Sequence, residues 1–320
     1  TDPVTVEAPK PQDRLTTVVE ATGLPTDWDS FIRLAVKLTD HGTTPTYGYA
    51  PMLFAKEGGR EFAQWAIQAG LQIQVADGET ATLDVNTTSA AMVAQFLKDL
   101  HWRYDVTPPP SQCYADNLMK LFAEGRIAMM MLPADRETIA RLIQLGFPVE
   151  DLGIAPLPGG PVNRNHLAFG RCYIINSQLD SERRAAALKW LLFQLDPEVI
   201  KMRRITAYRE QDWTGIPEVP LFKLSRHQEL VEALHPYFTL PVFPDYFKTV
   251  MASGVSLEPP YFTSRLYEAL AEGIRPIVEN KDSDPMQAIA YVGADFEKKY
   301  LKNAPTPSGL RRYLEMIPGL

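Results

Sequence analysis

YADNLMKLFAEGRIAMMMLPADRETIARLIQLGFPVEDLGIAPLPGGP, residues 114–161, decides the fold. Leu118, Leu121 and Phe122 recur at helical spacing, and Gly125 stands where a helix stop wants a residue free to take positive φ. Ile127 to Leu132 is an unbroken apolar run bounded by turn residues, the pattern of a strand buried on both faces. Ile139, Leu142 and Ile143 restore the helical period, Gly146 stops it, and Leu152 to Ala155 leads into a Leu-Pro-Gly-Gly loop. Helix, strand, helix and strand in this order predict an α/β fold whose mostly parallel sheet is covered by helices.

Outward from this unit, helices are expected over Leu15–Thr22, Trp28–Leu38, Gly59–Ala69, a segment capped by Thr88 or Ser89 that carries Val93, Phe96, Leu97 and Leu100, Ser181–Leu195, Pro197–Ile205, 225–234, 244–252, 261–279 and 284–301. Thr26 is the expected N-cap of the second, with Asp29 three residues on, and Trp28, Phe31, Ile32, Ala35 and Leu38 form its apolar stripe. Short strands are expected at Val4–Val6, Thr43–Met52 and His166–Asn176, and Asp77-Gly78 marks a turn.

The 320 residues are 45% hydrophobic and 22% charged, enough to bury the cores of two lobes. No apolar run approaches the length needed to span a bilayer. A net charge of −7 argues against a nucleic-acid partner, which requires a basic face. Cys113 and Cys172 are the two cysteines, and the five histidines show no HExxH pairing, so neither a metal site nor any other cofactor is implied. No serine elbow, P-loop or GxGxxG occurs, and the carboxylates Asp77, Glu79 and Asp84 share one turn rather than facing each other across a cleft; an enzyme is not expected. The chain opens at Thr1 without an initiator methionine or signal-peptide pattern, as a processed or truncated product would.

Four stretches in order resemble the bacterial extracellular solute-binding proteins of ABC importers, the maltose-binding type. PTDWDSFIRLAVKLTDHG (Pro25 to Gly42) resembles that family's Pro-x-Thr-Trp-Asp helix, and FAEGRIAMMM (Phe122 to Met131) its Phe-x-x-Gly-Lys-x-Ala-Met signature. GIAPLPGG (Gly153 to Gly160) resembles its Gly-x-x-Pro-x-Pro-Gly-Gly strand and loop, and DSERRAAALKWLLFQLDPE (Asp180 to Glu198) its Ala-Ala-x-x-Phe-x-x-Phe-Leu helix. The resemblance covers about residues 25 to 301 and implies a periplasmic-binding-protein type II-like two-lobed fold. An extracellular or periplasmic location follows, with a membrane anchor in a segment outside this chain. The implied function is capture of a small ligand, carbohydrate by family habit, in an inter-lobe cleft, with docking on ABC permease subunits. The alternative from another class is a non-transport sensor or scaffold domain of a larger surface protein.

The resemblance also implies a division of the chain. Residues 1–25 would be an arm, 26–169 the second lobe, 170–236 a segment returning to the first lobe, 237–301 second-lobe helices and 302–320 an extended tail. In that family most of the first lobe's sheet precedes the Pro-x-Thr-Trp helix, and here about two dozen residues do. Ala187, Trp190, Leu191 and Phe193 would then lack a sheet to cover, at roughly 1.5–3 kcal/mol per large side chain. The missing first-lobe segment is therefore expected upstream in a longer polypeptide, on a second chain, or exchanged with a symmetric copy.

A sugar site needs aromatic faces for the ring and planar polar groups for the hydroxyls. Tyr47, Tyr49 and Phe54 surround one loop, while Trp65, on an amphipathic helix, reads as core. Asp135 lies where the family often has a stacking Trp; it can accept from hydroxyls or merely cap the helix that follows. Arg171, beside Gly170, can clamp an anionic or hydroxylated ligand or pair with a surface carboxylate. Tyr261 and Arg265 open a helix near which family members carry stacking aromatics, and Trp213 is an aromatic in a polar loop. Met129, Met130 and Met131 are expected in the core rather than at a metal.

Overall fold

The computed structural model describes residues 23–76, 81–133, 136–169, 173–209 and 252–303, together with 229, 232, 233 and 249. The strand and helix expected within residues 1–22, and most of the helices expected over 225–234 and 244–252, lie outside these. The described helices are α1 (Trp28–Leu38), α2 (Ala55–Gln68), α3 (Thr88–Trp102), α4 (Ala115–Ala123), α5 (Arg136–Gln144), α6 (Ser181–Gln194), α7 (Pro197–Arg209), α8 (Thr263–Glu279) and α9 (Pro285–Lys299). Strands β1 (Gln74–Ala76) and β2 (Ala81–Leu83) form an antiparallel hairpin with Gln74 opposite Leu83; β3 (His166–Ala168) is joined to β4 (Val255–Leu257). The chain divides into two compact units: the described residues of 1–131, 156–167 and 248–320, and those of 132–155 and 168–247. Residues 132–155, expected to belong with 26–169, group with the second unit.

In the first unit, α1 starts at Asp27 rather than Thr26. The Asp27 carboxylate accepts from the Ser30 N–H at 2.7 Å, and the Ser30 hydroxyl accepts from the Asp27 N–H at 3.1 Å, closing a capping box one residue later than the sequence suggests. Hydrogen bonds to that carboxylate, from the Ser30 N–H foremost and then the Ser30 and Thr26 hydroxyls, hold it below its ordinary range. Phe31, Leu34, Ala35 and Leu38 turn inward and meet α2, whose Phe62, Trp65 and Ala66 are fully enclosed. Trp65 is the hub of an aromatic cluster, with ring centroids 5.5 Å from Trp28, 5.6 Å from Phe31, 6.4 Å from Tyr49 and 5.2 Å from Phe96 of α3. Its assignment to the core holds.

α8 lies along α2 with no clearance at one point. A Cβ on Gly59 would sit 1.9 Å from the Tyr267 carbonyl oxygen, so only glycine lets the two backbones meet there. α8 turns Leu266, Leu270, Ile274, Ile277 and Val278 inward, and the Trp102 indole N–H donates to the Val278 carbonyl at 2.7 Å, tying α3 to its end.

The 114–161 stretch folds largely as its pattern predicts. α4 buries Leu118, Leu121 and Phe122, and Gly125 and Gly146 take φ of 72° and 87°. Parallel pairing appears as bridges, Tyr47 with Ile127, Ala50 with Met130 and Asp27 with Gly159, rather than as a long ladder. Two expectations fail in detail. Only Ile127 and Ala128 of the apolar run are buried, and Met129, Met130 and Met131 are half-buried, so they are not core. Among the described residues of the strand expected over His166–Asn176, the regular part is His166–Ala168.

In the second unit, α6 begins at Asp180, whose carboxylate accepts from the Arg183 N–H at 2.8 Å. α7 packs on it, with Arg203 donating to the Gln194 side-chain oxygen and carbonyl at 2.7 Å each. α6 buries none of its residues: Trp190 and Phe193 are each 54% exposed and Leu192 is 66% exposed.

Candidate functional site

The segment 46–54 is extended and held on both edges. Tyr47 N–H donates to the Arg126 carbonyl at 2.9 Å and Ala50 N–H to that of Met129 at 3.1 Å on one side. On the other, Tyr49 N–H donates to Val106 at 3.1 Å and Leu53 N–H to Cys113 at 2.9 Å. In a regular strand residues two apart share a face, but the N–H groups of Tyr47 and Tyr49 point to opposite edges, so the bend at Gly48 breaks the alternation between them. Tyr47 is half-buried, and loss of water pushes its phenol above the ordinary value.

Tyr49 goes the other way, into the core, with 2% of its surface exposed. Its hydroxyl donates to the buried Glu61 carboxylate, whose second oxygen accepts from the Met52 N–H at 2.7 Å. Burial raises the Glu61 carboxyl to about 7, against the downward pull of those donors, and lifts the Tyr49 phenol well above its usual range. Tyr49, expected at a ligand face, is thus a core residue: its ring fills the space beside Phe31 and Trp65.

Phe54 precedes α2, half-buried, with the Tyr114 ring edge-on at 6.2 Å and the Arg275 guanidinium 5.1 Å over its face. Tyr261 precedes α8 and is half-buried beside Phe262, which takes a left-handed φ of 53° although it is not glycine. Arg265 is exposed but engaged: its guanidinium lies 5.5 Å over the Tyr300 ring and donates to the Tyr300 hydroxyl at 3.4 Å.

These residues do not form one cluster. Arg275, in the last turns of α8, reaches Phe54 at the start of α2, while Tyr261, ahead of α8, bonds to Gln74, beyond the end of α2. Phe54 and Tyr261 therefore stand at opposite ends of an antiparallel helix pair, roughly 20 Å apart for a helix of α2's length. Tyr261, Phe262, Arg265 and Tyr300 do gather at one end, with Phe262 and Tyr300 rings 5.6 Å apart. Asp135, Arg171 and Trp213 lie outside the described residues.

The sequence gives no hint of the buried glutamines that join distant segments here. Gln64 donates to the Asn165 carbonyl at 3.0 Å and accepts from the Leu167 N–H at 2.6 Å; Gln68 accepts from the Trp28 indole at 3.0 Å. Gln74 accepts from the Tyr261 N–H at 2.8 Å and donates to its carbonyl at 3.3 Å. Only spatial proximity reveals such bonds, since no local spacing encodes a partner 187 residues away.

Among the described residues no group of three or more His, Cys, Asp or Glu side chains is placed to hold a metal, and no helix is long and apolar enough to cross a membrane. Cys113 is a free, fully buried thiol pushed up by that burial, which leaves it inert; Cys172 lies outside the described residues.

Half-buried aromatics thus stand on loops of an α/β scaffold. The family model for bacterial extracellular solute-binding proteins matches residues 14–216, and the chain belongs to that family. The fold is shared with solved solute-binding proteins. One from Thermotoga lettingae, bound with α-D-tagatose, is 16% identical over 88% of this chain and 68% of its own, with a TM-score of 0.62. MalE3 of T. maritima, bound to maltose, is 16% identical over 90% and 69%, with a TM-score of 0.58. The MalE maltose/maltodextrin-binding domain of Bdellovibrio bacteriovorus, bound to maltotriose, is 19% identical over 87% and 67%, with a TM-score of 0.58. Comparison with curated protein sequences finds no match. Family and structural relatives alike are binding proteins rather than enzymes.

Proposed function

We propose that this chain captures a small carbohydrate or polyol outside the cytoplasm and delivers it to the permease of an ABC importer. Membership of the solute-binding family carries the reading, and the sugars held by proteins of the same fold support its carbohydrate part. Within the first unit the ligand-stacking role goes to Tyr261, which is half-buried and precedes Phe262, whose ring lies 5.6 Å from that of Tyr300. Tyr47 and Arg265 are secondary contacts, Phe54 belongs to the far end of the helix pair, and Asp135, Arg171 and Trp213 are the contacts proposed beyond the described residues. Because a ligand favours whichever state makes more contacts with it, a site with groups on both lobes draws the protein toward its closed form.

We also propose that residues 170–236 cover a sheet completed by a segment outside this chain. The exposure of Trp190, Leu192 and Phe193 on α6 supports that reading, since a helix this apolar is stable when covered. The segment would come from upstream polypeptide, a second chain or a symmetric copy.

Thermal-shift measurements on the full polypeptide with maltose, maltotriose and D-tagatose test the first proposal. A true ligand at 100 times its Kd should stabilise by about 2.7 kcal/mol. Tyr261→Ala should weaken binding of the responding sugar while leaving the unliganded melting curve in place. Absence of any shift across a panel extended to other mono- and oligosaccharides would overturn the carbohydrate reading.

A further inference from the structure

We infer that Gln74 is a positioning residue for Tyr261, an inference that rests on the ligand-stacking role proposed for that tyrosine. Gln74 is 5% exposed, and its amide bonds both backbone polar groups of Tyr261: the Tyr261 N–H donates to its oxygen at 2.8 Å and its NH2 donates to the Tyr261 carbonyl at 3.3 Å. A primary amide that accepts from an N–H and donates to the C=O of one residue imitates a paired strand neighbour. The two bonds hold the peptide groups on either side of the Tyr261 Cα, and so restrain its φ and ψ as well as its distance.

The location makes that restraint consequential. Phe262, the next residue, has a φ of 53°, a region unfavourable to a side chain bearing Cβ. Left to itself such a residue relaxes toward negative φ and swings the preceding side chain with it. Phe262 is also the N-cap of α8 and makes no side-chain cap bond, so capping does not hold the turn. Thr263 contributes from the other side, its hydroxyl donating to the Pro259 carbonyl at 2.6 Å, which leaves the Tyr261 peptide to Gln74.

The anchor behind Gln74 is itself fixed. Gln74 sits on β1, opposite Leu83 of β2, and the Leu83 N–H donates to the Glu297 carboxylate of α9 at 2.6 Å. The hairpin is thus tied to α9 through Glu297 and to the start of α8 through Gln74. Tyr261 presents its ring from a backbone pinned to that hairpin, and rigid presentation lowers the ordering cost of binding.

The test uses Gln74→Met, which fills the same space without donor or acceptor, alone and combined with Tyr261→Ala. Amide hydrogen exchange at Tyr261 and binding of maltose, maltotriose and D-tagatose are measured on the full polypeptide. The expected result is loss of Tyr261 amide protection by about tenfold or more in Gln74→Met, with protection at Leu270 and Ile274 unchanged. Affinity for the sugar that binds should fall about tenfold, and Gln74→Met should add nothing once Tyr261 is alanine. Additive losses, or unchanged Tyr261 protection, would overturn the positioning role while leaving the proposed function intact. If wild-type protein binds no sugar of any panel, the carbohydrate reading fails, and the positioning role falls with it even where the amide protection is lost as expected.

Discussion

α2 and α6 are both 14 residues long, yet α2 encloses ten of its residues and α6 none. Composition would have ranked them the other way. α6, SERRAAALKWLLFQ, is richer in large apolar side chains than α2, AKEGGREFAQWAIQ, which spends positions on Gly58, Gly59, Arg60 and Glu61. The difference lies in what each helix meets. α2 finds α1, α3 and α8 around it, and its Gly59 is what allows α8 to come so near. α6 finds α7 along one edge, and its Trp190 edge meets Tyr173 at 5.8 Å between ring centroids, with open surface beyond. Apolar content sets how much a helix can gain by burial; neighbours decide how much it does gain.

The largest effect that can break this comparison is expected from Trp65→Ala, at about 3–5 kcal/mol of lost stability by chemical denaturation. A loss below about 1 kcal/mol would show that the aromatic hub is loosely packed and that α2 is no better enclosed than α6. Gly59→Ala comes next. Helix propensity alone would favour the change, but a methyl 1.9 Å from the Tyr267 carbonyl forces the helices apart, and a net loss of about 1–3 kcal/mol should appear as a lowered Tm.

Glu61 sharpens the contrast through pH. Its carboxyl is raised to about 7 in the fold, from an ordinary value of 4.5. Between those two values the unfolded chain has already released the proton while the native one holds it. Stability contributed by the protonated form is therefore complete below about 4.5, falls as pH rises toward 7, and is flat above. The unfolding free energy from urea titrations in that window should decline by on the order of 3 kcal/mol from this group, and Glu61→Gln should remove its part of the slope. A slope unchanged in the variant would assign the pH dependence elsewhere. The smallest effect belongs to α6: Trp190→Ser on this chain should alter stability by no more than about 0.5 kcal/mol, as at an exposed site. A loss rivalling that of Trp65→Ala would mean that α6 is covered in solution.

Reading the sequence against the fold follows the same division. Helix α4, its stop at Gly125 and the stop at Gly146 were legible because period and punctuation are local, and both glycines take the positive φ that their positions require. The cap of α1 was misplaced by one residue because Thr26 and Asp27 both suit the role; the backbone turn chose Asp27. Trp65 was legible as core from its helical face. Tyr49 was not, because alternation places it on the same face as Tyr47, and the bend at Gly48 that parts them leaves no periodic trace. For Met129, Met130 and Met131 apolarity points to the core but does not place them there, as it does not for α6. The glutamine bonds were invisible, since a side chain's choice of a distant peptide leaves no periodic trace. At the candidate site nothing in the spacing of the aromatics tells that Phe54 and Tyr261 sit at opposite ends of one helix pair.

The contact between Gly59 and the Tyr267 carbonyl has a mechanical consequence. Two helices separated by a layer of side chains can slide, because rotamers on both sides readjust as they pass. Where backbone rests directly on backbone there is nothing to readjust, and the point acts as a dowel that sets the axial register of α2 and α8. The pair must then move as one solid piece. Whatever rearrangement accompanies binding has to be taken up elsewhere in the chain, and the aromatics at the two ends of the pair keep a constant separation throughout.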